Sequence, residues 1–196
     1  MNKKLCSLIY YLIKRVPNLI NTKIVKLIYL SDYNFYKYFG SSITGIVYNY
    51  HYHGPFSKYI YDCIDELVQN NIIKKSKNIS LWKLRTYYLY SILDNYEFKK
   101  NLTNQEIDIL EYIISEYGKL DYEELKNISY KTEPMTSAKR GDILNFGDIY
   151  EYVNKKILEV KKEKGSLNDY KGKPFEPKDS LCDKGFMDYQ YKVISK

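Results

Sequence analysis

The chain has 196 residues, 44% of them hydrophobic, and 31 Lys and Arg against 24 Asp and Glu give a formal charge of +7. That length is enough for one good-sized core with an appended tail, and no apolar run approaches the roughly 20 residues that span a bilayer. With a mean hydropathy of −0.51, a soluble protein is expected, and Lys14 and Arg15 interrupt the apolar start before any small-residue cleavage site, which argues against a secretory leader and for a cytoplasmic location.

Cys6, Cys63 and Cys182 are widely separated and odd in number, which argues against a disulfide framework and against a Cys-x-x-Cys metal or redox pair. The positive charge makes nucleic acid a partner to weigh. Outside the cluster Lys155, Lys156, Lys161, Lys162 and Lys164, however, the basic residues are scattered. Lys, Asn, Ile and Tyr are all abundant, as an A+T-rich genome would impose. Tyrosine stands out at 24 residues: it supplies large contact area with few rotatable bonds and a polar tip, the material of a binding surface.

Leu5, Leu8, Ile9, Leu12 and Ile13 recur at helical spacing, and Pro17 ends that segment. A second helix, capped by Asn21 or Thr22, carries Ile24, Leu27, Ile28 and Tyr33 on its inner stripe and stops at Gly40. From Ile46 to His53, Tyr48, Tyr50 and Tyr52 alternate with Asn49, His51 and His53, a period of two that predicts a strand with one aromatic and one polar face. Gly54-Pro55 makes a corner that opens the next helix, with the proline where the first N–H is unpaired anyway. Tyr59, Ile60, Cys63, Ile64, Leu67 and Val68 form its stripe, which ends near Asn70-Asn71.

Residues 72–92 predict a β-hairpin that enters at Ile72-Ile73, turns at Ser76-Lys77-Asn78 and returns through Trp82 to Tyr90. A helix followed by a hairpin suggests the wing of a winged helix. Thr103-x-x-Glu106 and Asp121-x-x-Glu124 are two consecutive capping boxes, with Leu102/Ile107 and Leu120/Leu125 as hydrophobic staples. The first opens a helix to Gly118 and the second a shorter one to about Ser129. A polar link follows from Thr136 to Gly141, then a helix over 148–164. Gly165 to Gly185 predicts loop, and 187–194 a terminal strand. The expected fold is α+β: mainly helical, with a small antiparallel sheet from about 44–52, 72–78 and 81–91, extended by 187–194.

The order of these motifs resembles the SocA-like, or Panacea, antitoxin domain over roughly residues 1–150, leaving 151–196 as an extension. The family's L-x-K-L-L-Y helix is matched by Ile24 to Leu30, and its Gly-started extended run before a helix-opening Gly-Pro by Gly40 to Pro55. Leu102 to Glu106, Tyr117-Gly118, Leu125 and Tyr130 to Met135 fall on the later motifs in order. Tyr130 stands where His is usual and Met135 where Trp is usual, so no role of that histidine carries over. The resemblance implies an antitoxin encoded beside a small toxin, which it neutralises by direct contact. The best-known relative instead delivers its toxin to a Clp-type protease, and the domain is frequent in phages and prophages.

No Ser/His/carboxylate order and no glycine-rich loop presents itself, so no catalytic residue and no cofactor are expected. His51 and His53 share one side of a strand, but two histidines cannot close a zinc site, which needs three or four ligands, and no metal is expected. Cys63, and Cys6 with it, suit small core hydrophobes. The expected partner-binding residues are Tyr52, His53, Gly54, Pro55, Phe56 and Lys58, because aromatic anchors beside a rigid turn concentrate binding energy. Gly54-Pro55 also has a purely architectural reading. Two other functions compete with the protein toxin as partner: a nucleic-acid-binding regulator that uses the hairpin lysines Lys74, Lys75 and Lys77, and a phage-encoded inhibitor of a host defence complex.

Overall fold

A computed structural model describes residues 2–80, 85–93 and 101–149. Helix α1 (Lys3–Arg15) is capped by Asn2, whose side-chain oxygen accepts the Leu5 amide at 3.1 Å. After Pro17, α2 (Asn21–Phe39) starts without a side-chain cap and ends where Gly40 turns left-handed at φ 72°, the conformation that glycine adopts without steric cost. After its half-buried first residues, Ile24 through Asp32 are buried on every side. It is therefore the central helix, flanked by α1, α4 and α5, and its polar residues must find partners inside the protein.

Strands β1 (Asn49–His51) and β2 (Gly54–Phe56) form a short antiparallel hairpin around Tyr52-His53, in the register Asn49↔Phe56, Tyr50↔Pro55 and His51↔Gly54. The other edge of β1 is covered by the chain at 141–144. Tyr50 N donates to Asp142 O at 2.8 Å, Gly141 N to Tyr50 O at 2.9 Å, and Leu144 N to Tyr48 O at 2.8 Å. Helix α3 (Lys58–Gln69) then buries Ile60, Cys63, Ile64 and Leu67. It leads into a longer hairpin of β3 (Ile73–Ser80) and β4 (Arg85–Ile92), paired from Ile73↔Ile92 to Ser80↔Arg85.

Helices α4 (Asn104–Tyr117) and α5 (Tyr122–Tyr130) each open on a complete capping box, Thr103 with Glu106 and Asp121 with Glu124. A short α6 (Glu133–Ser137) follows, with Pro134 in its first turn. The core runs through Leu5, Leu8 and Leu12 of α1, Ile24, Leu27 and Ile28 of α2, Ile60 and Leu67 of α3, and Leu110 and Ile113 of α4. Each such side chain contributes about 1.5–3 kcal/mol by leaving water.

The α+β class and its mainly helical character hold, with six helices among the described residues, but several expectations are corrected. The strands form two separate two-stranded sheets rather than one. The Gly-Pro corner is itself strand β2, and the helix begins only at Lys58, because Pro55 lies extended opposite Tyr50 in the β1–β2 register and its carbonyl accepts Lys26. Ser76, Lys77 and Asn78 lie inside β3 opposite Leu89, Tyr88 and Tyr87; in an exposed ribbon both faces are wet, so a polar run there is indistinguishable from a turn. Tyr59 leaves the α3 stripe and is 58% exposed. Asn21 does not cap α2; its side-chain oxygen accepts the Tyr90 hydroxyl. The start of the expected polar link is helix α6.

Cys6 and Cys63 are joined as a disulfide with Cα atoms 6.0 Å apart, against the sequence expectation. Both sit on buried stripes where α1 and α3 meet, a proximity that a separation of 57 residues conceals. No described helix is long and apolar enough to cross a membrane. Trp82, Cys182, the strand at 187–194 and nearly all of the helix at 148–164 lie outside the described residues.

Candidate functional site

The site grows from the polar residues that α2 carries into the core. Lys26 is buried, and its Nζ donates to the Pro55 carbonyl at 2.8 Å. Desolvation pulls its ammonium down to about 7, with the Lys126 charge adding to the effect. The lysine passes directly beneath Gly54, which has φ 89°; a Cβ added there would meet Lys26 Cε and Nζ at 3.2 Å. Glycine at this position suits the left-handed backbone, and a Cβ there would also press on the lysine below it.

One and a half turns along α2, Asp32 is completely buried and accepts three hydrogen bonds. The Thr44 amide donates at 2.9 Å, the Tyr48 hydroxyl at 2.7 Å, and the Thr44 hydroxyl completes the set. Burial raises the Asp32 carboxyl to about 6, while these donors pull it back down. The segment that enters β1 is therefore fixed by a carboxylate on the central helix. Between the two, the Tyr29 hydroxyl lies 2.6 Å from Thr132 Oγ1. The Thr132 hydroxyl donates onward to Ser129 O at 2.7 Å, which leaves the Tyr29 hydroxyl as donor and ties α2 to the end of α5.

The outer surface of the corner is aromatic and basic. Tyr52 is 62% exposed, and His51, His53 and Lys58 are exposed as well. The His53 ring meets Tyr52 edge-on at 5.0 Å and Tyr122 at 6.3 Å, while His51 lies 5.5 Å from Phe56. Tyr130 locks the turn from outside, its hydroxyl donating to Tyr52 O at 2.8 Å and reaching His51 O at 3.4 Å. Arg140, from the segment that covers β1, places its guanidinium 5.1 Å above the Tyr52 ring. Beneath this surface the Ser57 and Tyr122 hydroxyl oxygens are covered and bond nothing among the described residues.

The six residues expected to bind a partner therefore divide. Tyr52, His53 and Lys58 are exposed and Phe56 is half-buried, whereas Gly54 and Pro55 are buried and serve as architecture for the turn. Tyr122, Tyr130 and Arg140 also pack at the corner, which the sequence did not lead one to expect. Tyr130 carried a signal, since it fills the position of a motif histidine; Arg140 lay in a polar stretch that gave no hint of packing beside β1. His51 and His53, 6.1 Å apart at their ring centres, have no third or fourth metal-ligating side chain grouped with them among the described residues.

A family model described as antitoxin SocA-like, Panacea domain, matches residues 24–134. That span covers more than half of the chain and runs from the first buried turn of α2 to Pro134 in α6. Lys26, Tyr29, Asp32, the Gly54-Pro55 corner and Tyr130 all fall inside it, while Arg140 falls outside. No curated protein and no solved structure gives a significant match.

Proposed function

The chain belongs to the SocA-like antitoxin family of the Panacea domain, and from that premise we propose that it neutralises a cognate protein toxin by binding it directly in the cytoplasm, without catalysis. The observation that carries the reading is the corner. Residues of the matched segment hold a two-residue turn from below through Lys26 and from outside through Tyr130, and they present Tyr52 and His53 to solvent. Aromatic side chains on a rigid base lose little freedom on docking, so more of their contact area appears as affinity.

Expression together with a candidate toxin, sought as a small gene beside its own, tests the proposal. The toxin alone should arrest growth, the pair should restore it, and the two chains should copurify in a fixed ratio. Tyr52→Ala and His53→Ala should weaken the complex by more than about 1 kcal/mol each and leave thermal unfolding unchanged. Growth that stays arrested, with no complex recovered, would remove the reading.

A further inference from the structure

We propose that the corner recognises an acidic segment of its protein partner, one carboxylate of which docks onto the Arg140 guanidinium and the Tyr52 hydroxyl; this deepens the antitoxin reading and rests on it. The argument comes from a recurring arrangement in this molecule, a cation lying over a tyrosine ring. Arg15 lies over Tyr11, Lys37 over Tyr33, Lys75 over Tyr88 and Lys126 over Tyr122. In each of these four a carboxylate completes the group. Glu111 takes both Arg15 Nη2, at 2.8 Å, and the Tyr11 hydroxyl. Glu133 accepts from Tyr33 at 2.6 Å, Asp65 from Lys75 at 3.2 Å, and Glu123 from Lys126 at 2.8 Å.

Arg140 over Tyr52 is the fifth such group, and no carboxylate among the described residues touches either its cation or its phenol. Asp142, two residues along the chain, accepts the Lys139 amide at 2.8 Å rather than the Arg140 guanidinium. Lys58 and Lys131, both exposed beside the corner, are likewise unpaired among the described residues. The Arg140 backbone is held in place, since Gly141 N donates to Tyr50 O at 2.9 Å. A planar fork on a fixed base gives up less freedom per bond than a mobile lysine and matches a carboxylate with two parallel hydrogen bonds. The Glu111 group, in which one carboxylate takes an arginine and the tyrosine beneath it, is the internal template for the proposed contact.

The probe is a short Asp- and Glu-rich peptide, with a Lys-rich peptide and a single-stranded DNA of similar length as comparisons. Binding is followed by fluorescence anisotropy and by NMR shifts of the full chain. The acidic peptide should bind, shift the Tyr52 and Arg140 signals, and weaken as salt rises. Arg140→Glu should lower that affinity about tenfold or more. Arg140→Lys should lower it by less and Tyr52→Phe slightly, while Lys77→Glu on the distant hairpin should leave the shifts at the corner in place. Equal binding of the Lys-rich peptide, wild-type binding by Arg140→Glu, or displacement of the peptide by DNA at equal concentration would overturn the proposal.

The toxin assay separates the two readings. If the wild type rescues growth and a normally folded Arg140→Glu rescues it equally, the acidic-segment proposal falls and the antitoxin reading stands. If the wild type fails to rescue while the acidic peptide still lands on Arg140, the antitoxin reading falls and the site stands.

Discussion

The two hairpins of this chain are stabilised in opposite ways. The β3–β4 ribbon has eight paired positions and carries its own ladder. Its side chains are largely wet, and among the described ones only Ile73 and Tyr90 are buried. The β1–β2 corner has three paired positions, too few to persist alone. It is held by residues far away in sequence: Lys26 under Pro55, Asp32 at the strand entry, Tyr130 over the turn, and the 141–144 segment along the edge. A ribbon held by its own ladder flexes as a unit, whereas a corner held from several sides cannot move without breaking buried bonds. That difference is why the shorter hairpin is the binding platform we propose.

The largest effect should come from Asp32→Ala. It strands the Thr44 amide, the Thr44 hydroxyl and the Tyr48 hydroxyl, all in the core, and each unpaired buried group costs about 1–3 kcal/mol. We expect a loss of about 4 kcal/mol in chemical denaturation. Hydrogen exchange should accelerate at β1 and β2 before it does in β3 and β4. Equal acceleration in both hairpins would erase the contrast between them.

Proton linkage sharpens the same contrast, because the two buried charges shift in ways that disfavour ionisation. Asp32 titrates near 6 in the fold against an ordinary 3.8. The folded state therefore holds the extra proton between those values, and stability from this group is full below about 4 and lost as pH rises through 6. Lys26 titrates near 7 against 10.5. Its contribution is full above about 10.5 and lost as pH falls through 7. Together they predict a stability minimum near pH 6–7, with the acidic limb worth up to about 3 kcal/mol and the alkaline limb up to about 5 kcal/mol. Asp32→Asn should flatten the acidic limb and Lys26→Met the alkaline one in denaturation across pH; unchanged limbs would mean that the two groups are solvated.

Gly54→Ala comes next. Alanine at φ 89° is strained, and its Cβ would press on the buried Lys26 at 3.2 Å, a combined cost of about 2 kcal/mol. Gly45, at φ 65° with open space around it, is the control: its alanine variant bears the backbone term alone, about 1 kcal/mol. Thermal melts of the pair isolate the lysine contact. Identical losses would show that Lys26 yields freely and the corner is not braced from below.

What could be read in the sequence follows from how local each determinant is. The capping boxes at Thr103 and Asp121, the stop at Gly40 and the Ile60, Cys63, Ile64 and Leu67 part of the α3 stripe depend on neighbours within a turn or two, and the structure carries them as expected. The Lys26–Pro55 and Asp32–Thr44 bonds were not legible. A lysine or aspartate in a helix reads as a solvated face until the helix is known to be central. The Cys6–Cys63 bond and the Arg140–Tyr52 stack likewise join segments whose meeting depends on the whole fold. The corner was found through its tyrosines and its family order. Its division into buried Gly54-Pro55 and exposed Tyr52, His53 and Lys58 emerged only from the packing.

The smallest effect belongs to the longer hairpin and closes the comparison from its other side. Lys74 and Lys77 are exposed on β3 and bond no described side chain, while Lys75 pairs with Asp65 at 3.2 Å and lies 4.9 Å over Tyr88. An exposed ion pair is worth about 0.2–1 kcal/mol and less in salt. Lys74→Ala and Lys77→Ala should therefore shift stability by less than about 0.5 kcal/mol, with Lys75→Ala at the upper end of the range for exposed pairs. None of the three should alter copurification with the toxin. They also test the hairpin as a nucleic-acid wing. If it grips phosphates, removing a lysine lowers the salt dependence of DNA binding by about one counterion per contact. A flat salt dependence in the wild type, unchanged in all three variants, leaves the long hairpin as a solvated ribbon and the short one as the working surface. A steep dependence that falls with each lysine would transfer function to β3–β4.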